Sequence, residues 1–115
     1  NWNRFNNQRA EDTDARTLTS GSVTLPIAVQ DIGSISSARR VLNVAVKVIT
    51  EIVGVCTLKV TVGTEEVFDI VKHGGTEVGT YVAETTYITS NYEDIQITGM
   101  SAATSGEIKV EVTYI

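Results

Sequence analysis

The sequence predicts an all-β fold, an antiparallel two-sheet sandwich whose simplest form is an eight-stranded jelly roll, and three observations predict it. First, Val, Ile and Thr, with sixteen, eleven and sixteen copies, make up more than a third of the 115 residues, against four Leu and one Met. Their branched Cβ is stiff in a helix and packs well on a pleated surface. Second, two segments alternate strictly. Ile108, Val110, Val112 and Tyr114 point one way and Glu107, Lys109, Glu111 and Thr113 the other, while Cys56, Leu58, Val60 and Val62 oppose Thr57, Lys59 and Thr61. A period of two means one buried and one wet face, which is the pattern of antiparallel sheets. Third, glycine and small polar residues interrupt the chain at roughly ten-residue spacing, as in sandwiches and barrels.

Taken in order, the elements are strands over about 17–25, 27–30, 41–50, 53–62, 65–71, 79–88, 93–98 and 106–115. Residues 34–40, with Ser36-Ser37-Ala38-Arg39-Arg40, read as a loop or short turn leading into the strand at Val41. Ile49, Ile52 and Val53 break the alternation, so a bulge or tight hairpin is expected near Thr50 and Glu51. Gly63-Thr64 begins a tight turn, Gly74-Gly75 lies in a longer loop, and 99–106 is a loop of small residues. Eight strands in two sheets give a jelly roll. An immunoglobulin-like sandwich is the alternative, but its Cys…Trp…Cys pattern is missing.

Residues 1–16, NWNRFNNQRAEDTDAR, differ from the rest. Trp2, Phe5 and two Ala are the only apolar side chains, and Arg4, Arg9 and Arg16 balance Glu11, Asp12 and Asp14. Such a stretch cannot bury enough apolar surface to offset its own ordering entropy. It reads as an extended N-terminal arm that docks on a neighbouring subunit, with Trp2 and Phe5 as anchors and Arg4 and Arg9 seeking carboxylates. The domain reading is therefore an arm over 1–16 and a sandwich over 17–115. The chain opens on Asn1 in place of Met, which points to processing or trimming.

Composition excludes several functions. A net charge of −5 and a pI near 4.7 argue against nucleic-acid binding, which needs a basic face. No apolar run reaches the about 18 residues of a membrane-spanning helix, so no membrane partner is expected. One Cys excludes an internal disulfide, and one Cys with one His excludes a Cys/His zinc site. Glu11, Asp12 and Asp14 fall short of a full calcium shell and lack the glycine of a calcium-binding loop. No cofactor or metal is expected.

Catalytic candidates fare no better. His73 sits in the loop-like Lys72-His73-Gly74-Gly75, with no Gly-x-Ser-x-Gly turn anywhere. Cys56 is in phase with Leu58 and Val60 and reads as a small buried hydrophobe. Glu65-Glu66 and Glu93-Asp94 are adjacent on strands and point to opposite faces, so neither forms a converging acid pair. Glu107 and Glu111 share an outward face with Lys109 between them. The chain is not expected to be an enzyme. Arg39-Arg40, the only basic doublet, precedes a strand and offers interface charges. Exposed tyrosines among Tyr81, Tyr87 and Tyr92 would stack on sugar rings; buried ones would be core.

The run from Asp31 through Val48, the segment Cys56-Thr57-Leu58-Lys59-Val60 leading to Val62-Gly63-Thr64, and the ending from Gly106 through Ile115 resemble small β-rich virion proteins of tailed bacteriophages. Among these the chain is most similar to capsid decoration, or cement, proteins. The resemblance covers 17–115 and is one of style and strand order, with no sharp motif. It implies a place on the outer capsid surface, contact with the major capsid protein, a homo-dimer or homo-trimer on the shell, and an extended terminus used as a clamp. It carries over no catalytic residue. The competing reading is a carbohydrate-binding sandwich of a tail fibre or spike that contacts host glycans.

Overall fold

A computed structural model describes residues 15–74 and 76–115. The elements in chain order are β1 (Arg16–Thr24), β2 (Gln30–Ile35), β3 (Val41–Gly54), β4 (Lys59–Val62), β5 (Glu65–Asp69), a 3₁₀ turn (Ile70–His73), β6 (Gly79–Glu84), β7 (Glu93–Thr98) and β8 (Ala103–Tyr114). Two four-stranded sheets form, ordered β1-β8-β3-β6 and β2-β7-β4-β5, with every pairing antiparallel. This is the two-sheet jelly roll that the composition and alternation predict.

The phase read from the sequence holds. Ile108, Val110 and Val112 of β8 and Leu58, Val60 and Val62 around β4 are fully buried, and they meet Val44, Val46 and Val48 of β3 and Ile95 and Ile97 of β7 in one core. Each such side chain contributes about 1.5–3 kcal/mol of transfer free energy, set against the entropy of ordering the chain.

Several boundaries differ from expectation. The strand expected over 27–30 begins at Gln30 and runs to Ile35, through part of the segment read as loop. Residues 25–29 instead form the connection after β1: Pro26 offers no N–H to a ladder. A register shift between Asp31 and Gly33 hides the alternation of β2 from a sequence reading. No hairpin forms at Thr50-Glu51. There β3 continues to Gly54 through register shifts between Val48 and Thr50 and between Thr50 and Val53, so the bulge is what occurs. As a result β4 is only four residues long. The small-residue segment before Gly106 is strand from Ala103 onward. Ladder contacts at the end of the sheet outweigh weak local propensity there. Gly106, at φ +142°, lies within this stretch, where an added Cβ would sit 3.1 Å from the Ile52 Cα. β5 stops at Asp69, whose carboxylate accepts the Val71 N–H at 3.0 Å and starts the 3₁₀ turn. β6 stops at Glu84.

Strand direction gives the sandwich two ends. The connections β1–β2, β3–β4, β5–β6 and β7–β8 lie at one, and β2–β3, β4–β5 and β6–β7 lie at the other with the start of β1 and the chain's last residue. At the four-loop end β3 and β8 outrun their neighbours. β1 stops at Thr24 opposite Glu107, and β6 begins at Gly79 opposite Val48. Residues 50–54 and 103–107 therefore continue as a two-stranded ribbon, part of a body 59 Å long and 27 by 21 Å across.

Candidate interaction surface

The residues that sequence reading examined for chemistry do not converge. His73 is exposed at the end of the 3₁₀ turn, its ring stacked on Phe68 with centroids 4.9 Å apart. Cys56 is half-buried against the core, and desolvation pushes its thiol up, away from the nucleophilic thiolate. The carboxylates are engaged separately. Glu66 pairs with Lys59 at 3.2 Å, and Glu111 with Lys109 at 3.4 Å. Asp94 accepts the Ser34 hydroxyl at 2.7 Å, and Asp31 accepts the Gln96 amide at 2.8 Å. No group of three or more His, Cys, Asp or Glu among the described residues is arranged to hold a metal ion.

Tyr81 and Tyr87 pack against the core. The Tyr81 hydroxyl donates to the Glu77 carbonyl at 2.9 Å, and the Tyr87 hydroxyl donates to the Glu93 carboxylate at 2.5 Å. That short hydrogen bond, followed by desolvation and then the negative charges of Glu93 and Glu65, pushes the Tyr87 phenol up to about 12. Tyr92 is 73% exposed and stands without a second exposed tyrosine among the described residues. The row of aromatics that a sugar platform needs is not present on the described surface.

Two features remain for contact with another macromolecule. The first is apolar. Val29, Val53, Val55, Val71 and Val78 are all about half exposed or more, and all five belong to the four-loop end. Val53 and Val55 sit at the tip of the β3–β8 ribbon, and the Ile52 N–H donates to the Thr76 carbonyl, which draws the segment before Val78 to its root. Single exposed apolar residues are ordinary; among the described residues these five lie at the four-loop end, with Val55 at 68% exposure, while Val82 lies on β6 and Ile88 and Tyr92 on the β6–β7 connection.

The second feature is the three-loop end, where the predicted interface charges lie. Arg39 is half-buried and Arg40 exposed. Thr89, which sequence reading passed over, holds this turn. It is 2% exposed, its hydroxyl donates to the Ser36 carbonyl at 2.6 Å, and it accepts the Arg39 N–H at 3.0 Å. Arg40 exchanges backbone hydrogen bonds with Ile115, which ties the turn to the end of β8. Beside it lies an open depression of about 580 Å³ lined by Arg40, Leu42, Asn43, Glu84, Thr85 and Thr86. It forms where the β3–β8 register shifts between Val41 and Asn43 and the chain leaves β6. Trp2, Arg4, Phe5 and Arg9, the arm residues expected to make contacts, lie outside the described residues.

No protein-family profile matches the chain, and no curated protein matches it in sequence. Solved structures do. A chain from the capsid asymmetric unit of cyanophage Pam1 superposes with a TM-score of 0.61 and 17% identity, over 88% of this chain and 84% of that one. A chain from the acid-stable capsid of the Helicobacter pylori bacteriophage KHP30 superposes with a TM-score of 0.63 and 13% identity, over 89% and 87%. At these identities the likeness is one of fold, extending over nearly the whole of each chain.

Proposed function

We propose that this chain is a structural virion protein of a bacteriophage that binds the outer surface of the capsid and clamps neighbouring major coat subunits. The observation that carries the reading is the gathering of five exposed valines at one end of a jelly roll shared with chains of two phage capsids. A clip that binds only the assembled lattice stabilises it by mass action, because each bound copy favours the state it binds. Such a clip needs a rigid body and a contact surface. In this reading residues 17–115 supply the body and residues 1–16 an arm, and the protein assembles as a dimer or trimer on the shell. The ribbon tip with Val53 and Val55 makes the apolar contact with coat protein, and the arm, through Trp2, Arg4, Phe5 and Arg9, reaches a neighbouring subunit.

The test is copy number in purified particles, by quantitative mass spectrometry against the major coat protein, together with re-binding of the V53E/V55E variant to stripped shells. A copy number of the order of the coat protein, and at least tenfold weaker binding by a variant that remains folded, are the expected results. A handful of copies per particle would place the chain at a tail or vertex and overturn the lattice-clamp reading.

A further inference from the structure

We propose that the outer edge of β6 pairs with the β6 edge of a second copy, so that the free chain forms a two-fold dimer through one continuous sheet. The two sheets end in four edge strands, β1 and β6 in one and β2 and β5 in the other. An unpaired edge is a template for another strand, and a bulge is one way in which proteins blunt it. Three of the four edges carry such an irregularity. The β1–β8 register shifts between Thr19 and Ser22, the β2–β7 register between Asp31 and Gly33, and the β4–β5 register between Val60 and Thr61. The β3–β6 register runs from Asn43 and Glu84 to Val48 and Gly79 with no shift. β6 contains no proline, and its single charge, Glu84, is its last residue. Among the described residues no strand pairs with its outer side.

The ladder phase says which backbone groups face out. The Thr85 N–H donates to the Leu42 carbonyl at 3.1 Å. Bonded pairs alternate along an antiparallel ladder. Ala83, Tyr81 and Gly79 therefore also turn their N–H and C=O toward β3, and Thr80, Val82 and Glu84 turn theirs away from it. The side chains of these three are exposed, Val82 by 51%. A two-fold axis through Val82 sets this valine against its own copy and Thr80 against Glu84 in both directions. Every outward N–H and C=O of the three residues then gains a partner, and two half-exposed valines cover each other. The two Glu84 carboxylates stand about 13 Å apart along the strand direction. Each instead lies opposite Thr80, whose neighbour on β3 is the exposed Lys47 on the same face. Moving the axis one residue either way leaves Glu84 or Thr80 opposite a residue outside β6, so the match also fixes the register. The axis reverses strand direction, and the valine-bearing ends of the two copies point opposite ways. That orientation suits a clamp between coat subunits, but the pairing is a property of the free chain and is tested without capsid.

The experiment is sedimentation velocity on the full-length chain from micromolar to millimolar concentration, with residue-resolved amide hydrogen exchange alongside. The wild type is expected to pass from monomer to dimer across this range, and the amides of Thr80, Val82 and Glu84 to exchange more slowly as it does. V82P removes the central outward N–H, which an edge strand tolerates because that group makes no bond to β3, and it is expected to weaken dimerisation by about tenfold. V82R sets two guanidinium groups side by side on the axis and is expected to act in the same direction. Exchange of the β8 amides verifies that each variant is folded. V82C in a C56A background is expected to form a disulfide with its own copy under mild oxidation, since a bonded antiparallel pair holds its Cα atoms about 5.5 Å apart. A chain that stays monomeric throughout the range would overturn the proposal. So would a dimer indifferent to both V82P and V82R, which would place the contact elsewhere. Slow exchange at Thr80, Val82 and Glu84 at every concentration would overturn it as well, because a segment of the same chain would then occupy the edge. None of these outcomes decides whether the chain binds capsid, which the particle experiment reads separately.

Discussion

At the four-loop end of the sandwich, Val29, Val53, Val55, Val71 and Val78 face outward from loops and a protruding ribbon. At the three-loop end the turns are held by polar side chains: Thr89 bonds across to Ser36 and Arg39, and Glu93 accepts both the Tyr87 hydroxyl and the Ser90 N–H. The same eight strands run into both ends, so the difference is not one of core packing. It lies in what finishes the sheets. The first end combines backbone contact with side-chain bonds, from the Thr57 hydroxyl to the Gly99 carbonyl, from the Thr104 hydroxyl to the Val53 carbonyl and from the Val71 N–H to the Asp69 carboxylate, and five exposed valines stand among them. The second adds to its backbone bonds a buried hydroxyl, that of Thr89, and a carboxylate shared by two donors, that of Glu93, while Ile88 and Tyr92 stand exposed beside them.

The sharpest way to break that contrast is with glycine. Gly99, at φ +77° on the β7–β8 connection, would bring an added Cβ to 2.1 Å from the Thr57 carbonyl oxygen. That wall is backbone, and the Thr57 N–H and hydroxyl are both bonded to the Gly99 carbonyl, so it has nowhere to go. Gly63, at φ +60° on the β4–β5 turn, would meet the Glu93 carboxylate instead. A side chain can swing away, at the cost of its bonds to Tyr87 and Ser90. G99A is expected to lose about 3 kcal/mol or more and G63A about 1–2 kcal/mol in denaturant unfolding. In an E93A background the G63A loss shrinks, because the obstructing group is gone, while the G99A loss does not change. Equal losses at the two glycines, or no coupling to Glu93, would mean that the wall facing Gly63 is as fixed as the one facing Gly99.

A smaller effect is expected at Thr89. Replacing it by Val keeps the shape and removes the hydroxyl, so the Ser36 carbonyl and the Arg39 N–H lose their buried partner. T89V should cost about 1–3 kcal/mol, and hydrogen exchange should accelerate first at Ala38 and Arg39, not at the ribbon. Uniform acceleration over the whole chain would mean that Thr89 supports the core and not the turn.

How much of this was legible beforehand follows from the range of the interactions involved. Where alternation was uninterrupted, as from Glu107 to Tyr114, side-chain phase could be read directly, because a two-residue period and one buried face suffice. Residues 50–54 and 103–105 were misread because their strand state depends on each other. Gly54 and the Ala-Thr-Ser-Gly run look like turns locally and become a ribbon only through pairing across some fifty residues. β2 was displaced for a related reason, its bulge at Gly33 erasing the alternation. Arg39 and Arg40 were visible as an interface candidate from charge alone. The depression beside Arg40 was not, since Glu84 arrives there from a distant strand. Thr89 carried no signal either. One threonine in Tyr-Ile-Thr-Ser looks like any other of the sixteen, and only the fold makes it a buried hinge pin.

The smallest expected effect tests the three-loop end through its protons. The Tyr87 phenol donates to Glu93, and the bond persists only while the phenol keeps its proton. Its folded value, up to about 12, lies above the ordinary 10.0 of the unfolded chain. The folded state thus holds this proton more tightly, and by linkage the resulting stabilisation is complete below pH 10 and disappears as pH rises through 12. Wild type should lose melting temperature between these values more steeply than Y87F, and the two should converge at the alkaline limit. Phenolate absorbance offers a direct readout: Y87F should remove a late titration step near 12. If the step it removes lies at the ordinary phenol value, Glu93 is not holding the proton. The β6–β7 loop would then rest on the Thr89 hydroxyl, the Ser90 bond to Glu93 and the backbone bonds of Tyr87 and Thr89 to Val41, Ala38 and Arg39.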